Sequence, residues 1–349
     1  MFRRNGRKGN YAYTVARVKA KKSLLMGEED YSKMMMMTVP EISRYISEIG
    51  YGKEMADLAG RMSGLALLEH ATYLNMAKVF SSILSSSTGE LYGMVSAYLV
   101  KWDIWNLKVI LRGKSYGLDA EGIREDLVPA GSLSAESLDR LIALETDDDI
   151  IANFGKMARV NFPADVLSAY KASGNLGDIE DFLDKMHYEK LIQSIDPSSR
   201  PSRLFLDYIR EEVDIKNFET IFKLKAEGII GEQVMKYIIP GGKKIDGRQL
   251  TLFANAENAE SLISDISQLD FYENIKDALE SNNLRDMVSG LKRYEMQKAK
   301  KFSHLYPLSV IPVIDYMIHK ESEVRNIRLI ARGTESGLDR DVIKGLLVI

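Results

Sequence analysis

The chain has 349 residues, 45% apolar and 28% charged, with a formal net charge of −3 at pH 7, as expected of a soluble protein of two or three domains. It contains no cysteine, which excludes disulfide bonds, thiolate metal sites and cysteine nucleophiles. No apolar run approaches the roughly 18 residues of a membrane span, and no secretory signal is recognisable at the N-terminus. A cytoplasmic location is therefore expected.

The first 22 residues form a basic arm. They contain no acidic residue and carry a charge of +8, which leaves −11 for the remainder of the chain. Such an arm suits contact with nucleic acid, lipid headgroups or an acidic partner, and it equally suits a solvated terminus. The basic residues are Arg3, Arg4, Arg7, Lys8, Arg17, Lys19, Lys21 and Lys22.

A run of four methionines follows at 34–37. Four successive residues point to every side of a helix, so at least some of these side chains must face a neighbouring element. Methionine is unbranched and adaptable, which suits both a core and a pliant binding surface. Core packing and contact with a partner helix are the two interpretations.

A phrase of about 25 residues occurs three times. The copies that begin at 103 and 323 share nine identities in 25 positions, and a third copy lies 111 residues after the first. The matched polar and glycine positions are Asn106, Asn217 and Asn326; Arg112, Lys223 and Arg332; and Gly117, Gly228 and Gly337.

Each phrase predicts a helix, a tight turn and a second helix. Apolar residues such as Leu107, Ile110 and Leu111 recur at helical spacing and mark a buried face. Gly117 and Gly337 suit the left-handed conformation that ends a helix, and Leu118 and Leu338 are expected to make the apolar contact that follows. Asp119 and Asp339 are suitable N-caps for the second helix.

The asparagine of each phrase is the most informative residue. Asparagine favours caps and turns, yet here it lies inside a predicted helix in all three copies. We expect Asn106, Asn217 and Asn326 to be structural pins that bond to a neighbouring helix or loop within each copy. The cations at 112, 223 and 332 lie near a helix C-terminus, where the free carbonyl groups favour positive charge.

A second apolar motif recurs upstream, at Ile42–Tyr51, Ile179–Tyr188 and Leu262–Phe271. Strand signals are weak throughout, so the chain is predicted to be all-α. The repeats predict three similar helical domains at 1–140, 141–245 and 246–349, of which the middle one is the shortest.

No segment predicts catalysis, a cofactor or a metal. Gly113-Lys114-Ser115 resembles the end of a phosphate-binding loop, but Lys108 stands where that loop needs a glycine, and the segment ends a helix. None of the histidines has a glutamate three residues earlier, as a carboxylate-bridged dimetal bundle requires. These histidines are His70, His187, His304 and His319.

The chain resembles the C subunit of the archaeal-type and vacuolar-type rotary ATPases, the family that includes the d subunit of the vacuolar proton pump. Three stretches carry the resemblance: the opening Tyr11-AYTVARVKAKKSLLMGEEDYSKM, the phrase Trp102-DIWNLKVILRGKSYGL and the ending Asn326-IRLIARGTESGLDRDVIKGLLV. The resemblance extends over essentially the whole chain. The middle copy departs most, with Lys223 in place of arginine and Leu224 in place of glycine.

The resemblance implies a non-catalytic adaptor of the central stalk. Three similar domains in a pseudo-threefold funnel would receive the rotating shaft, formed by the D-type and F-type subunits, and would sit on the membrane proteolipid ring. One copy per complex, at the cytoplasmic face and peripheral to the membrane, would transmit torque in ATP synthesis or ion transport. It would need no cofactor, nucleic acid or small-molecule substrate.

Two other functions remain as alternatives. A helical RNA-binding or scaffold protein would use the basic arm and would interleave aromatic and basic residues on one face. An enzyme would need a pocket with convergent polar groups in one copy only.

Overall fold

The computed structural model describes residues 9–256 and 263–349, and within these ranges it contains helices and no strand. The prediction of an all-α chain is thus confirmed. Residues 1–8 of the basic arm and Leu262 of the upstream motif lie outside the described residues.

The first half of the chain contains twelve helices within the described residues, and a π-helical segment, Ser47–Tyr51, connects the third to the fourth. These helices are α1 Tyr11–Lys22, α2 Glu28–Met34, α3 Val39–Ile46, α4 Gly52–Leu58, α5 Gly64–Ser86, α6 Gly89–Leu99, α7 Lys101–Ser115, α8 Ala120–Glu125, α9 Ala135–Ile142, α10 Asp147–Ala158, α11 Ala164–Ser173 and α12 Gly177–Ser194.

The second half is dominated by three long helices, α13, α18 and α19. Its described helices are α13 Arg200–Ala226, α14 Glu232–Met235, α15 Gly247–Asn255, α16 Ile263–Ile266, α17 Tyr272–Glu280, α18 Leu284–Leu305, α19 Ile311–Glu335 and α20 Arg340–Leu346. The three copies of the phrase lie on α7, α13 and α19, which we call the repeat helices.

Three hydrophobic clusters make up the described core, and each contains the apolar face of one repeat helix. The first cluster draws its buried residues from 104–183 and includes Ile110. The second draws them from 215–291 and includes Ile221. The third is the largest and joins N-terminal residues to C-terminal ones, among them Ile330. The repeated spacing of apolar residues therefore corresponds to a repeated packing of helices.

The upstream motif packs against the phrase that precedes it in the chain. Ile179 belongs to the first cluster with the phrase of α7, and Ile266 belongs to the second with the phrase of α13. No later motif exists for α19, and its cluster takes Ile42 and Ile46 from the N-terminal segment. The chain thus closes on itself. These clusters describe packing and do not test the domain boundaries predicted at 140 and 245.

A buried polar group connects the two ends of the chain. The Glu323 carboxylate on α19 accepts hydrogen bonds from the Tyr51 hydroxyl at 2.5 Å and from the Met26 amide at 2.7 Å. Lys320 donates to both Glu323 and Tyr51, at 2.7 and 2.8 Å. Burial is the main cause that raises the pKa of Tyr51 and lowers that of Lys320. The phenol is therefore neutral, and the lysine and the carboxylate compensate each other.

The methionine run divides between core and surface. Met34 is fully buried in the third cluster, and Met35 and Met37 pack partly against it. Met36 is 67% exposed. Three of the four side chains thus contribute to packing.

Replacing Lys320 with methionine is expected to lower the free energy of unfolding by about 3–5 kcal/mol, because it leaves the Glu323 carboxylate buried without its cation. Thermal unfolding followed by circular dichroism measures the change. The control is Lys301→Met, at an exposed position on α18. Equal melting temperatures for the two variants would contradict the compensating role of Lys320.

Candidate functional site

The three asparagines of the phrase make the same pair of hydrogen bonds. In each copy the side-chain amide donates to the carbonyl, and accepts from the amide, of the residue 22 positions later. The pairs are Asn106 with Val128, Asn217 with Ile239 and Asn326 with Val348, at 2.7–3.1 Å. Each asparagine is at most 1% exposed. Only a carboxamide offers a donor and an acceptor side by side, so aspartate cannot replace it here.

A carboxylate three residues before each asparagine holds a further stretch of backbone. Asp103 accepts from the amides of Ser132 and Leu133, both at 2.9 Å. Asp214 accepts from the amides of Lys243 and Lys244 at 3.0 and 2.7 Å. Burial raises the pKa of both carboxyl groups, and the amide donors partly offset this. In the third copy the position is Glu323, whose amide donor is N-terminal Met26.

This contact explains two glycines that recur between the first two copies. A Cβ atom on Gly131 would lie 2.2 Å from Asp103 Oδ1, and one on Gly242 would lie 2.1 Å from Asp214 Oδ1. Any side chain would therefore displace the loop from the carboxylate that holds it. The glycines are required for this close approach and not for an unusual backbone angle.

Gly117 and Gly337 adopt the left-handed conformation that the sequence predicted, and Gly228 adopts it too. Their φ values are 70°, 66° and 81°. The amide of the next residue bonds back to the last helical turn at 2.9 Å in each copy. Asp119 and Asp339 cap the following helices through their side chains, as predicted. Leu118 and Leu338 are 51% and 48% exposed.

The three cations of the phrase do not share one role. Arg112 on α7 binds Glu180 on α12 through two guanidinium nitrogens, and Arg332 on α19 binds Glu69 on α5 in the same way. Among the described residues, Lys223 forms an ion pair with Glu219, one turn earlier on its own helix. Arginine can bridge to a second helix with a planar pair of donors, which lysine cannot do. The middle copy therefore lacks this link between helices.

A cavity of about 630 Å³ lies between the three repeat helices, with α12 and α18 completing its wall. The repeat offsets of 111 and 220 residues carry the lining face of α7 onto those of α13 and α19. The charged and aromatic lining residues on the repeat helices are Lys101, Trp102, Trp105, Lys108 and Arg112 on α7, Tyr208, Glu212, Lys216, Glu219 and Lys223 on α13, and Glu321 and Arg325 on α19. The asparagines themselves are not among the lining residues, although Ile239 and Val348, the partners of Asn217 and Asn326, are.

The cavity lining is nearly balanced in charge, with seven lysines and arginines against six aspartates and glutamates. Two ion pairs across its wall are Lys101 with Glu321 at 2.6 Å and Lys108 with Asp184 at 2.7 Å. A groove that follows a nucleic-acid backbone would be strongly basic. The balance favours a protein partner with charges of both signs.

Two motifs considered from the sequence have no supporting geometry. Gly113-Lys114-Ser115 lies at the C-terminal end of α7, where free carbonyl groups disfavour a phosphate. In the described part of the chain, no three histidine, aspartate or glutamate side chains are grouped so as to hold a metal ion.

Sequence reasoning identified Arg112 and Lys223 but missed the rest of the cavity lining. The lining could have been found from the repeat itself, because positions 101, 105 and 108 lie at helical spacing around the matched asparagine. The residues at the equivalent positions differ in type, as with Lys101, Glu212 and Glu321, so a search for identical residues overlooked them. The position of a residue within the repeat predicts that it lines the cavity, whereas its residue type does not.

Replacing Asn106 with alanine is expected to lower the free energy of unfolding by about 1–3 kcal/mol, because it leaves a buried amide and carbonyl without partners. Chemical denaturation measures the loss. The matched control is Asn153→Ala, at a half-buried helical position whose side chain bonds to the preceding turn. A loss no larger than that of the control would show that Asn106 is not a pin.

His187, which lines the cavity, generates a prediction about pH. Burial lowers its pKa to about 4, whereas an unfolded histidine titrates near 6.5. The unfolded chain therefore binds the proton first, and the stability associated with neutral His187 is lost as pH falls from about 6.5 to 4.

We expect the stability advantage of the native chain over His187→Gln to shrink by about 2 kcal/mol between pH 7 and pH 4.5. Urea denaturation at a series of pH values measures it. The exposed His304→Gln variant is the control. Stability curves of the native chain and His187→Gln that run parallel over this range would contradict a buried neutral histidine.

No helix in the described ranges is both long and apolar enough to cross a membrane. The geometry above is that of a helical protein in which three copies of one helix contribute to the lining of a cavity.

The model of the family described as "ATP synthase (C/AC39) subunit" matches residues 14–346. The C subunit of the A-type ATP synthase of Methanococcoides burtonii is 37% identical, over 100% of this chain and 97% of its own length. The corresponding C subunits of Methanosarcina acetivorans and Archaeoglobus fulgidus are 36% and 31% identical, over 97% and 99% of this chain and 93% and 98% of their own lengths. The resemblance predicted from three stretches of sequence is therefore confirmed, and the chain belongs to the ATP synthase (C/AC39) subunit family.

Proposed function

We propose that this chain is the central-stalk adaptor of an A-type rotary ATPase. It receives the foot of the shaft, made of the D-type and F-type subunits, in the cavity between α7, α13 and α19. It rests on the proteolipid ring at the cytoplasmic face of the membrane and transmits torque without catalysing a reaction. The observation that carries the proposal is the cavity lined by equivalent faces of three repeated helices.

The repetition of the lining helices supports a rotor subunit. A partner that enters a cavity lined by three copies of one helix would lie on the rotation axis of the assembly. A single such cavity accepts one shaft, which fits one copy per complex. The three similar domains and the funnel shape belong to this proposal.

The packing supports the transmission of torque. Helices α13 and α19 are 27 and 25 residues long and run from the third cluster into the wall of the cavity. The asparagine pairs fix the chain that follows each repeat helix to that helix. Side chains packed in this way transmit force because protein interiors are dense and barely compressible. A load applied at the cavity therefore reaches the whole body.

The contact with the proteolipid ring rests on family membership. No described surface identifies the ring-facing side by its own chemistry. The RNA-binding alternative gains no support in the described part of the arm, where Lys22 pairs with Asp315 on α19 at 2.6 Å and so packs against the body.

Native mass spectrometry of this chain with the two shaft subunits tests the proposal. We expect a 1:1:1 complex, which the detergent-solubilised proteolipid ring then joins. Absence of any complex, with the ring present as well as without it, would overturn the proposal.

Cross-linking locates the shaft, because the native chain has no cysteine and a single introduced one is unambiguous. Thr220→Cys places the thiol in the cavity lining, and Ser85→Cys places it on the exposed side of α5 as the matched control. With a cysteine-directed photo-cross-linker, the shaft should be captured from position 220 and not from 85. The reverse pattern would show that the shaft binds elsewhere.

A further inference from the structure

The positions five residues before the three asparagines meet in the cavity and carry unlike charges. They are Lys101, Glu212 and Glu321. Lys101 Nζ lies 2.6 Å from Glu321 Oε1 in an ion pair, although Glu321 Oε1, like Glu212 Oε2, has no hydrogen-bond partner among the described residues. Lys101 is therefore the single cation at the three equivalent positions, and it forms its ion pair with Glu321 and not with Glu212.

Glu212 has one satisfied oxygen and one that is not. Its Oε1 accepts a hydrogen bond from the Tyr188 hydroxyl at 2.6 Å. Its Oε2 is buried and has no hydrogen-bond partner among the described residues. A buried carboxylate oxygen without a donor is costly, so this atom marks a place where a partner is missing.

The neighbouring charges do not fill that place. Glu295, across the cavity on α18, is paired with Lys292 on the same helix at 3.1 Å. Lys216, one turn after Glu212, contributes attraction at longer range and forms no ion pair with it in the described structure. Burial and the charge of Glu295 raise the pKa of Glu212, and the charge of Lys101, the hydrogen bond from Tyr188 and the charge of Lys216 offset this only in part.

Tyrosine rings line this part of the cavity. Tyr98, Tyr188 and Tyr208 are all less than 8% exposed, and all three lie close enough to Glu212 to have their pKa values raised by it, after the larger effect of burial. The Tyr98 ring already carries a cation, since Lys101 Nζ lies 4.3 Å from its centroid. Aromatic faces beside a carboxylate are the surroundings that an ammonium or guanidinium group prefers.

We propose that Glu212 and the tyrosines around it form a subsite for one cationic side chain, an arginine or a lysine, at the tip of the shaft that enters the cavity. The proposal rests on the adaptor function proposed above and adds to it a partner chemistry and a residue. The cation would satisfy Oε2 and lie against the tyrosine rings.

The subsite has a consequence for rotational register. A cavity with three equivalent walls offers the shaft three similar orientations, related by turns of about a third of a revolution. Only one of the three equivalent positions has an unpaired carboxylate, because Lys101 and Glu321 pair with each other. A single cation on the shaft therefore selects one orientation, and the rotor is held at one angle.

The test compares Glu212→Gln with the native chain in binding to the purified two-subunit shaft of the same organism, by calorimetry at fixed salt. Glutamine keeps an acceptor for Tyr188 and removes the charge. We expect affinity to fall at least about 30-fold, as when one partner of a buried charge pair is removed. The control is Asp207→Asn, which removes one charge from the same helix outside the cavity and should change affinity less than about twofold.

A second measurement distinguishes a specific contact between Glu212 and a shaft cation from a general loss of complementarity between cavity and shaft. Each basic residue at the shaft tip is changed to methionine and measured against both forms of this chain. One such change should weaken binding to the native chain as much as Glu212→Gln does, and should have no further effect on the variant. In the variant, cross-links from Thr220→Cys should spread over more than one face of the shaft.

The outcomes are distinguishable. Full affinity of a Glu212→Gln variant that melts like the native chain overturns the subsite and leaves the adaptor function standing. Additive effects of every shaft change also overturn it. Failure of the native chain to bind the shaft, with or without the ring, overturns the adaptor function and the subsite with it.

Discussion

The pairing of one buried asparagine with a backbone amide and carbonyl 22 residues later is the interaction on which the rest of the structure depends. It occurs three times with nearly the same distances. Each pair fixes the chain that leaves the second helix of the phrase against the first. The carboxylate three residues earlier holds a further stretch of backbone, which follows the pair in the first two copies and is N-terminal Met26 in the third. Together these contacts fix each repeat helix to backbone outside that helix.

Each repeat helix has one face in a hydrophobic cluster and another face on the wall of the cavity. Ile110 of α7 packs in a hydrophobic cluster, whereas Lys101, Trp105 and Lys108 of the same helix line the cavity. Helices α13 and α19 likewise contribute one face to a cluster and another to the cavity. A repeated core on one face thus accompanies a repeated wall on another. The wall is free to vary in charge because only the core side is constrained by packing.

Much of the local structure was predictable from sequence, because it depends on residues close together in the chain. The helix ends at Gly117 and Gly337 and the caps at Asp119 and Asp339 are of this kind. The partner of Asn106 was not predictable, since nothing in the sequence singles out Val128. The contacts that join distant segments were less accessible still. Met26 takes the role that backbone near residues 132 and 243 plays in the other copies, and this closure is invisible in a linear comparison because the third copy ends at the C-terminus. The cavity lining was missed for a related reason, since equivalent positions there carry lysine in one copy and glutamate in two. The structural repeat is therefore retained even where the residue types differ, because packing does not restrict the side chain at those positions.

The central claim is that the cavity between the repeat helices holds the shaft. A cryo-electron microscopy map of this chain assembled with the shaft subunits and the proteolipid ring tests it most directly. We expect helical density in the cavity, in a single orientation, with a basic side chain at hydrogen-bond distance from Glu212. A cavity that stays empty while the shaft contacts the outer surface of the chain would contradict the claim.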